Sequence, residues 1–383
     1  MALYMKTYKY RIYPNKTQTT ALINTLHVCK NLYNACLQQR IEMYKKDGSY
    51  ISAYEQMKIF RSFNIENIDN VYSSVRQQTI LKLDTSFKNF YRRAQKGNCK
   101  VGFPRFKSVD RYNSIYFPAA TRGFKLTSDF KHIFISKIGY VKIKIHRGFE
   151  GYVKGLIVKR NGIGQWFVCY QVDEDVKPVP VKVKWKIGID LGCINFAVLS
   201  NGEKVKHPKY YRKSEEKMIK LQSKYSKLKQ LPREDKGKIK VGEQLNRVHV
   251  KIQNQRQDFL HKLSRTIINK YDLVCIEDLD IKSMTKDNFK SLNKSILDSG
   301  WNQFSSYLTY KAENAGKFVV KVNPAYTSQV CSSCGQIVDK PLSQRIHKCD
   351  CGLTIDRDVN ASLNILSLGT KLFKSSDLIN VQQ

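Results

Sequence analysis

VKVKWKIGIDLGCINFAVLSNGEKV, residues 181–205, is the stretch on which the fold turns. Val181, Val183, Trp185, Ile187 and Ile189 alternate with polar or small residues, the period of a strand with one apolar side. The run ends on Asp190, between Gly188 and Gly192. A second short strand is expected over 195–199, with Ser200-Asn201-Gly202 turning the chain after it. The expectation is a sheet whose first strand carries a carboxylate to its tip. The neighbouring glycines leave room there for a phosphate backbone to come close.

Working outward, LVCIE (273–277) is a short β-branched run of the kind buried inside a sheet, and it also ends on an acid, Glu277. FVVKV (318–322) reads as a further strand and 301–315 as a helix. The Lys-rich block 210–269 reads as helical, broken near Pro232 and Gly237, with Leu221, Leu228 and Leu260 to pack on the core. DVNASLNIL (358–366) reads as a helix opened by Asp358, with Val359, Leu363 and Leu366 on one face. Carboxylates that converge without basic partners repel unless a cation lies between them. Mg²⁺, a hard ion bound by oxygen that shares its shell with phosphates, suits Asp190, Glu277 and Asp358. Two such ions ~3.5–4 Å apart would support phosphodiester cleavage. Each acid alone has a plainer explanation: a turn residue at a strand end or, for Asp358, a helix N-cap.

Of ten cysteines, Cys29, Cys36, Cys99, Cys169, Cys193 and Cys275 are scattered, as small buried hydrophobes are. The other four form two pairs, CSSC (Cys331, Cys334) and CDC (Cys349, Cys351), separated by the fourteen residues 335–348. Paired cysteines at this spacing signal Zn²⁺. Gly335 and Gly352 follow the pairs, where a tight turn is wanted. The second pair has one intervening residue instead of two, and His347 stands close by as a substitute ligand. Redox thiols or buried free thiols are the alternatives. A closed four-thiolate site is structural rather than catalytic.

The N-terminal half has a different texture. A strand is expected over 5–13 and helix over 16–93. Within 71–93, Val75, Ile80, Leu83, Phe87 and Tyr91 recur at helical spacing, opposite Arg76, Gln77, Lys82, Lys88, Arg92 and Arg93. From 97 to 180, short alternating runs punctuated by Gly and Asn-Gly predict a small barrel or curled sheet, into which the first strand could pair. Lys and Arg number 67 against 32 Asp and Glu, a net charge of +35 spread from Lys6 to Lys374. Such dispersed charge fits a long polyphosphate better than a membrane surface, which is met by compact basic segments. No apolar run reaches the ~18 residues of a membrane span, and MALYMKTYKYRIYP (1–14) lacks the continuous apolar core of a signal peptide. The expected setting is the bacterial cytosol or nucleoid.

Taken together, MKTYKYRIYPNKTQ (5–18), GIDLG (188–192), NQRQDFLHKLS (254–264), IEDL (276–279), YTSQVCSSCG (326–335) and DRDVNASLNIL (356–366) resemble the TnpB family, transposon-encoded relatives of the type V CRISPR effectors. The resemblance implies an RNA-guided, Mg²⁺-dependent DNA endonuclease with one RuvC-type site. Asp190, Glu277 and Asp358 match its carboxylates, with Asp356 as alternate. It implies α/β and α+β multidomain architecture: a β-rich wedge domain (1–15 and 97–180), a helical recognition domain (16–96), a ribonuclease H-like RuvC core (181–323 and 354–370), a zinc-ribbon insertion (324–353) and a polar tail (371–383). The partners implied are a guide RNA from the transposon end and double-stranded target DNA, in a monomeric ribonucleoprotein. Tyr50, Arg76 and Gln78, by position, and Arg105, Phe106 and Lys107 of PRFK (104–107) are the candidate nucleic-acid contacts. A guided DNA-binding regulator without cleavage, a strand-transferring transposase and a zinc-ribbon RNA-binding protein are the competing functions. The intact acids speak against the regulator, the transposase shares the carboxylate chemistry, and the last leaves the strand-terminal acids unexplained.

Overall fold

The computed structural model describes residues 4–97, 101–119, 122–174, 178–232, 234–286, 289–341 and 344–375. Cys99 and the tail beyond 375 lie outside them. The chain divides into two units, Met1–Val176 and Lys177–Gln383.

In the first unit, β1 (Tyr4–Tyr13) leads into α1 (Lys16–Asp47), α2 (Ala53–Ile59) and α3 (Ser73–Gln95). Strands β2 (Ser114–Pro118), β3 (Phe124–Leu126), β4 (His132–Ile135), β5 (Gly139–Lys144), β6 (Tyr152–Arg160) and β7 (Trp166–Glu174) follow. All pair antiparallel in the order β2-β6-β7-β1-β5-β4-β3. The first strand therefore does join the later sheet, and the helices are an insertion between its strands. A flat sheet of this width would hold its edges roughly 29 Å apart at ~4.8 Å per strand. Yet the edge strands β2 and β3 are joined by only residues 119–123, which reach at most about 21 Å. The sheet must curl, and Phe124 on β3 meets Tyr170 on β7 edge-on at 6.0 Å. The result is a nearly closed barrel.

The helix expected over 16–93 is interrupted. Asn15 and Gln18 form a capping box that starts α1, and Gly48, at φ 70°, ends it in the left-handed region. Ser52 and Glu55 cap α2 in the same way. On α3, Val75, Ile80, Leu83 and Phe87 are buried as their spacing predicts, but Tyr91 is 47% exposed. The helix has by then run past the core, and Tyr91 packs on the rings of Phe87 and Phe90.

The second unit is built on a sheet ordered β10-β9-β8-β11-β12. Its strands are β8 (Lys186–Leu191), β9 (Asn195–Leu199), β10 (Lys204–Lys206), β11 (Leu273–Glu277) and β12 (Phe318–Val322). The first three run antiparallel, and β11 lies parallel to both β8 and β12. This is the ribonuclease H-like core. Helices α4 (Tyr210–Lys227) and α5 (Lys236–Lys270) enter between β10 and β11 and share a small core of Met218, Leu221, Val248 and Ile252. The break falls at 228–235, so Gly237 lies inside α5; Leu260 is buried, and Leu228 only half-buried. Helices α6 (Ile281–Met284), α7 (Lys290–Ser299) and α8 (Trp301–Glu313) precede β12. A two-stranded ribbon, β13 (Ile346–Lys348) and β14 (Thr354–Asp356), then leads directly into α9 (Arg357–Ser375).

Two expectations need correction. The alternation from Val181 does not make one long strand: β8 begins only at Lys186, and Trp185 is 66% exposed. Residues before it are held by other means. The Asp272 carboxylate accepts the N–H of Lys184 and of Trp185 at 3.0 Å, and Val181 donates to the Gly316 carbonyl at 2.8 Å. The inner face of α9 is only partly the one formed by Val359, Leu363 and Leu366: all three are half-buried, and of them Leu366 packs on the core of Leu273, Cys275 and Ile365. Buried instead are Asn360, Ala361, Ser362, Asn364, Ile365, Gly369 and Phe373. Small side chains are needed there because helix backbone rests on strand backbone. A Cβ on Gly188 would lie 2.0 Å from the Ser362 carbonyl oxygen, and one on Gly369 would lie 2.4 Å from the Cys275 sulfur.

Candidate functional site

Parallel pairing sets the first feature of the site. Strands β8 and β11 run in register from Leu273 opposite Lys186 to Ile276 opposite Ile189. One more step brings Glu277 beside Asp190, two acids at the same tips of neighbouring strands and on the same face. Asp358 joins them from the first turn of α9, the helix packed on β8. Burial first, then the charges of Glu277 and Asp358, push the Asp190 carboxyl well above its usual range, while Arg357 pulls the other way. Burial also raises Glu277, opposed by a hydrogen bond from the Thr327 hydroxyl at 2.7 Å. Among the described residues neither Asp190 nor Glu277 forms an ion pair. Crowded acids of this kind suit a hard cation.

The third acid stands differently. Asp358 Oδ1 accepts two hydrogen bonds from the Arg357 guanidinium, at 3.1 and 3.0 Å, with Arg345 at 3.9 Å. The capping role belongs to its neighbour. Asp356 Oδ1 accepts the N–H of Asp358 at 2.9 Å and of Val359 at 3.2 Å, and Asp356 Oδ2 pairs with Lys204 at 2.6 Å. Asp356 thus starts the helix, and Asp358 is free of that task.

The four cysteines of the 331–351 segment converge. Their sulfurs lie within 4.8 Å of one another, with Cys331 to Cys351 at 3.7 Å and Cys334 to Cys349 at 3.5 Å. Tetrahedral thiolates on a ~2.3 Å zinc–sulfur bond would stand ~3.8 Å apart. Among the described residues they are the one group of three or more acidic, thiol or imidazole side chains packed so closely. The chain makes two matching knuckles: Gly335 N–H returns to the Cys331 carbonyl and Gly352 N–H to that of Cys349, both at 2.9 Å. The glycines sit at φ 81° and 91°, where a Cβ would be strained. The single residue inside the CDC pair does not prevent the second knuckle from closing. Burial raises the Cys331 thiol, but hydrogen bonds from the Cys334 and Ser333 backbone and from His347 outweigh it and hold it down to about 5. The cluster is a structural metal site.

Comparison with known proteins agrees with this geometry. Residues 301–365 match the model of a Cas12f1-like TNB domain, 167–288 that of a probable transposase, and 1–49 that of a helix-turn-helix domain, a segment that here folds as β1 and the unbroken α1. A "Putative RNA-guided DNA endonuclease" of Streptomyces pristinaespiralis is 30% identical over 387 residues, 99% of this chain and 92% of its own. The chain belongs to the TnpB family. A second relative, the "Putative RNA-guided DNA endonuclease InsQ" of Escherichia coli K12, is 28% identical to this TnpB protein over 396 residues, covering 98% and 95% of the two chains. Among solved structures, the mini-RNA-guided endonuclease CRISPR-Cas_phi3 shares the fold, with a TM-score of 0.52 at 11% identity over 96% of this chain and 92% of that one.

The residues singled out as nucleic-acid contacts are unevenly placed in this TnpB protein. Arg105 and Phe106 are exposed, the latter 49%, whereas the Lys107 backbone exchanges two hydrogen bonds with the Asn34 side chain. Gln78 lines a cavity beside Lys82, Tyr112, Tyr116 and Gln171. Tyr50 is 58% exposed, but its hydroxyl is donated to Asp84 at 3.1 Å. Arg76 is already bound to Asp69 at 2.8 Å, and little of it is exposed.

Other residues of the site were missed from sequence. Asn360 donates to the Val330 carbonyl at 2.7 Å and accepts the Ser332 N–H at 2.9 Å. Asn364 donates to the carbonyls of Thr327 and Val330 at 2.9 and 2.7 Å. Together they clamp the first knuckle to α9 and hold Thr327 against Glu277. Two asparagines four apart inside an otherwise helical apolar run were the available signal, because such residues are poor helix formers unless something is bound.

Proposed function

We propose that the protein is an RNA-guided DNA endonuclease carried by a transposable element. It binds a guide RNA from the transposon end, recognises a short motif beside a double-stranded DNA target, and hydrolyses phosphodiesters at the acidic centre. The observation that carries this reading is the Asp190–Glu277 pair, two desolvated acids at adjacent strand tips that form no ion pair among the described residues. Asp190, Glu277 and Asp358 would hold a pair of Mg²⁺ ions. Bound there, the ions supply an activated water and stabilise the leaving oxygen. The chain's own residues set up the site. Thr327 orients Glu277, Asp356 fixes the start of α9 and so the place of Asp358, and Gly188, against which α9 packs, lets that helix lie close to β8.

Zn²⁺ fits the cysteine site. Four thiolates close its coordination, so the metal holds the knuckles and α9 together and takes no part in chemistry. In this reading the curled sheet is the wedge, α1–α3 are the recognition insertion, and 324–353 is the zinc ribbon within the nuclease domain. Exposed Arg105 and Phe106 suit backbone and base contacts, and the +35 charge serves a ribonucleoprotein of one chain, guide and target. No helix among the described residues is long and apolar enough to cross a membrane, in keeping with work in the bacterial cytosol.

The test is to express the protein with the DNA flanking its gene, sequence the RNA that co-purifies, and offer a plasmid matching that RNA. A discrete RNA from the element's end and Mg²⁺-dependent cutting are expected. Random RNA with no guided cutting would sink the proposal, and joined rather than cut products would shift it to a strand-transferring transposase.

A further inference from the structure

Asp190, Glu277 and Asp358 are not equivalent in their surroundings. Among the described residues the first two form no ion pair, whereas Asp358 is engaged by two guanidiniums. Arg357 Nε and Nη2 both donate to Asp358 Oδ1, at 3.1 and 3.0 Å, and Arg345 Nη1 lies 3.9 Å from the same oxygen. Side chains one residue apart on a helix do not face each other, so Arg357 has to fold back to make this contact. The segment that enters the ribbon holds it there. The Arg357 N–H donates to the Arg345 carbonyl at 2.8 Å, and Arg357 Nη1 reaches the Gln344 carbonyl at 3.4 Å. Only 13% of the Arg357 side chain and 20% of the Asp358 side chain are exposed, so salt screens the pair poorly. A guanidinium also keeps its charge at any working pH.

Counting charge separates the acids. Asp190 and Glu277, ionised, balance one divalent ion. The charge of Asp358 is already matched by Arg357. A further divalent ion at that acid therefore meets no uncompensated negative charge and is repelled by the guanidinium. A DNA phosphodiester brings the missing negative charge, and a guanidinium fork matches phosphate oxygens closely. We propose that Arg357 is a charge lock on the acidic centre: it occupies Asp358 until a target phosphate draws the guanidinium away, so that full metal loading requires substrate. Arg357 is thereby a positioning residue that acts through Asp358, and the ribbon that grips it sets the lock. A guided nuclease built this way keeps its centre underloaded while it holds no target. The proposal rests on the metal-dependent nuclease reading made above.

The experiment uses the full chain with its co-purified RNA and no target. Mg²⁺ is titrated while hydrogen exchange is read on the segments that carry Asp190, Glu277 and Asp358. Arg357→Met removes the charge and keeps the length. It should reach half-protection at a Mg²⁺ concentration about 10-fold below wild type, since a fixed charge a few ångströms from a cation is worth at least that much. Arg357→Lys, which keeps the charge, should stay close to wild type. A midpoint in Arg357→Met at or above the wild-type one would overturn the proposal. If that variant fails to fold, the wild type carries the test alone. With target DNA bound, and Ca²⁺ in place of Mg²⁺ as a second oxygen-binding ion that slows cutting, half-protection should come at a lower concentration than without target. Equal Ca²⁺ midpoints with and without target would overturn the lock. A wild-type chain that gains no protection from either ion even with target bound would remove the metal assignment underneath, an outcome distinct from equal midpoints.

Discussion

The cysteine cluster and the carboxylate cluster belong to one unit but are finished to different degrees. The four sulfurs already stand at metal-binding distances, because each knuckle is closed by backbone hydrogen bonds a few residues long and by a left-handed glycine. The three acids come from β8, β11 and α9, segments 87 and 81 residues apart at Asp190, Glu277 and Asp358. They repel one another, and Asp358 has turned to Arg357. A structural site can be assembled by local chain geometry. A reactive one, made of like charges from distant elements, reaches its working arrangement only with its cation and substrate.

The sharpest way to break this contrast is Asp190→Ala. Guided cleavage should fall below detection in a plasmid-nicking assay while guide RNA is still bound; retained cutting would dissolve the acidic centre. Next in size, Cys331→Ser combined with Cys334→Ser should lose the zinc and unfold the 324–375 segment, because metal binding there is part of the folding free energy. Metal content by mass spectrometry and hydrogen exchange would report it, and a folded, zinc-free double variant would mean the knuckles do not need their metal. A smaller effect is expected from Thr327→Val, which removes the hydroxyl on Glu277 at nearly constant volume. Cutting should weaken about 10–100-fold at limiting Mg²⁺, less at saturating Mg²⁺, with Thr327→Ser close to wild type. An equal loss at all Mg²⁺ concentrations would point to packing instead.

The smallest effect is thermal. Folding raises the Asp190 pKa, so the folded chain holds more protons than the unfolded one and loses stability as pH rises through that range. In Mg²⁺-free buffer, Asp190→Asn should therefore melt a few degrees higher than wild type at pH 8, since each ~1 kcal/mol relieved is worth roughly 2–4 °C. The gap should close toward the acid side, where Asp190 is protonated. A calorimetric gap that stayed constant with pH would mean that Asp190 carries no strained charge.

How much of this was legible in the sequence follows the same division. Strands ending in acids, β9 and β11–β12, and the cysteine pairs were readable because their signals are short-range: β-branched runs, Gly-flanked pairs, a strand-terminal carboxylate. The start of β8 was not, since what ends it is the Asp272 carboxylate 87 residues away taking the Lys184 and Trp185 N–H groups. The inner face of α9 was misjudged because periodicity counts apolar residues. The contact there demands small ones against Gly188 and polar ones against the knuckle. Asp358 was ambiguous between cap and acid until Asp356 was seen to take the cap.

That division of labour inside Asp356-Arg357-Asp358 works as an angular setting. An α-helix turns about 100° per residue, and Asp356 decides at which residue the turning begins. Asp358 therefore faces Asp190 by phase, two residues on, whatever follows in the helix. A residue inserted between Asp356 and Asp358 would still leave Asp356 two N–H groups to cap, two and three residues on, but would swing the acid about a quarter turn away from its partners. The tripeptide therefore constrains length as tightly as it constrains side-chain identity.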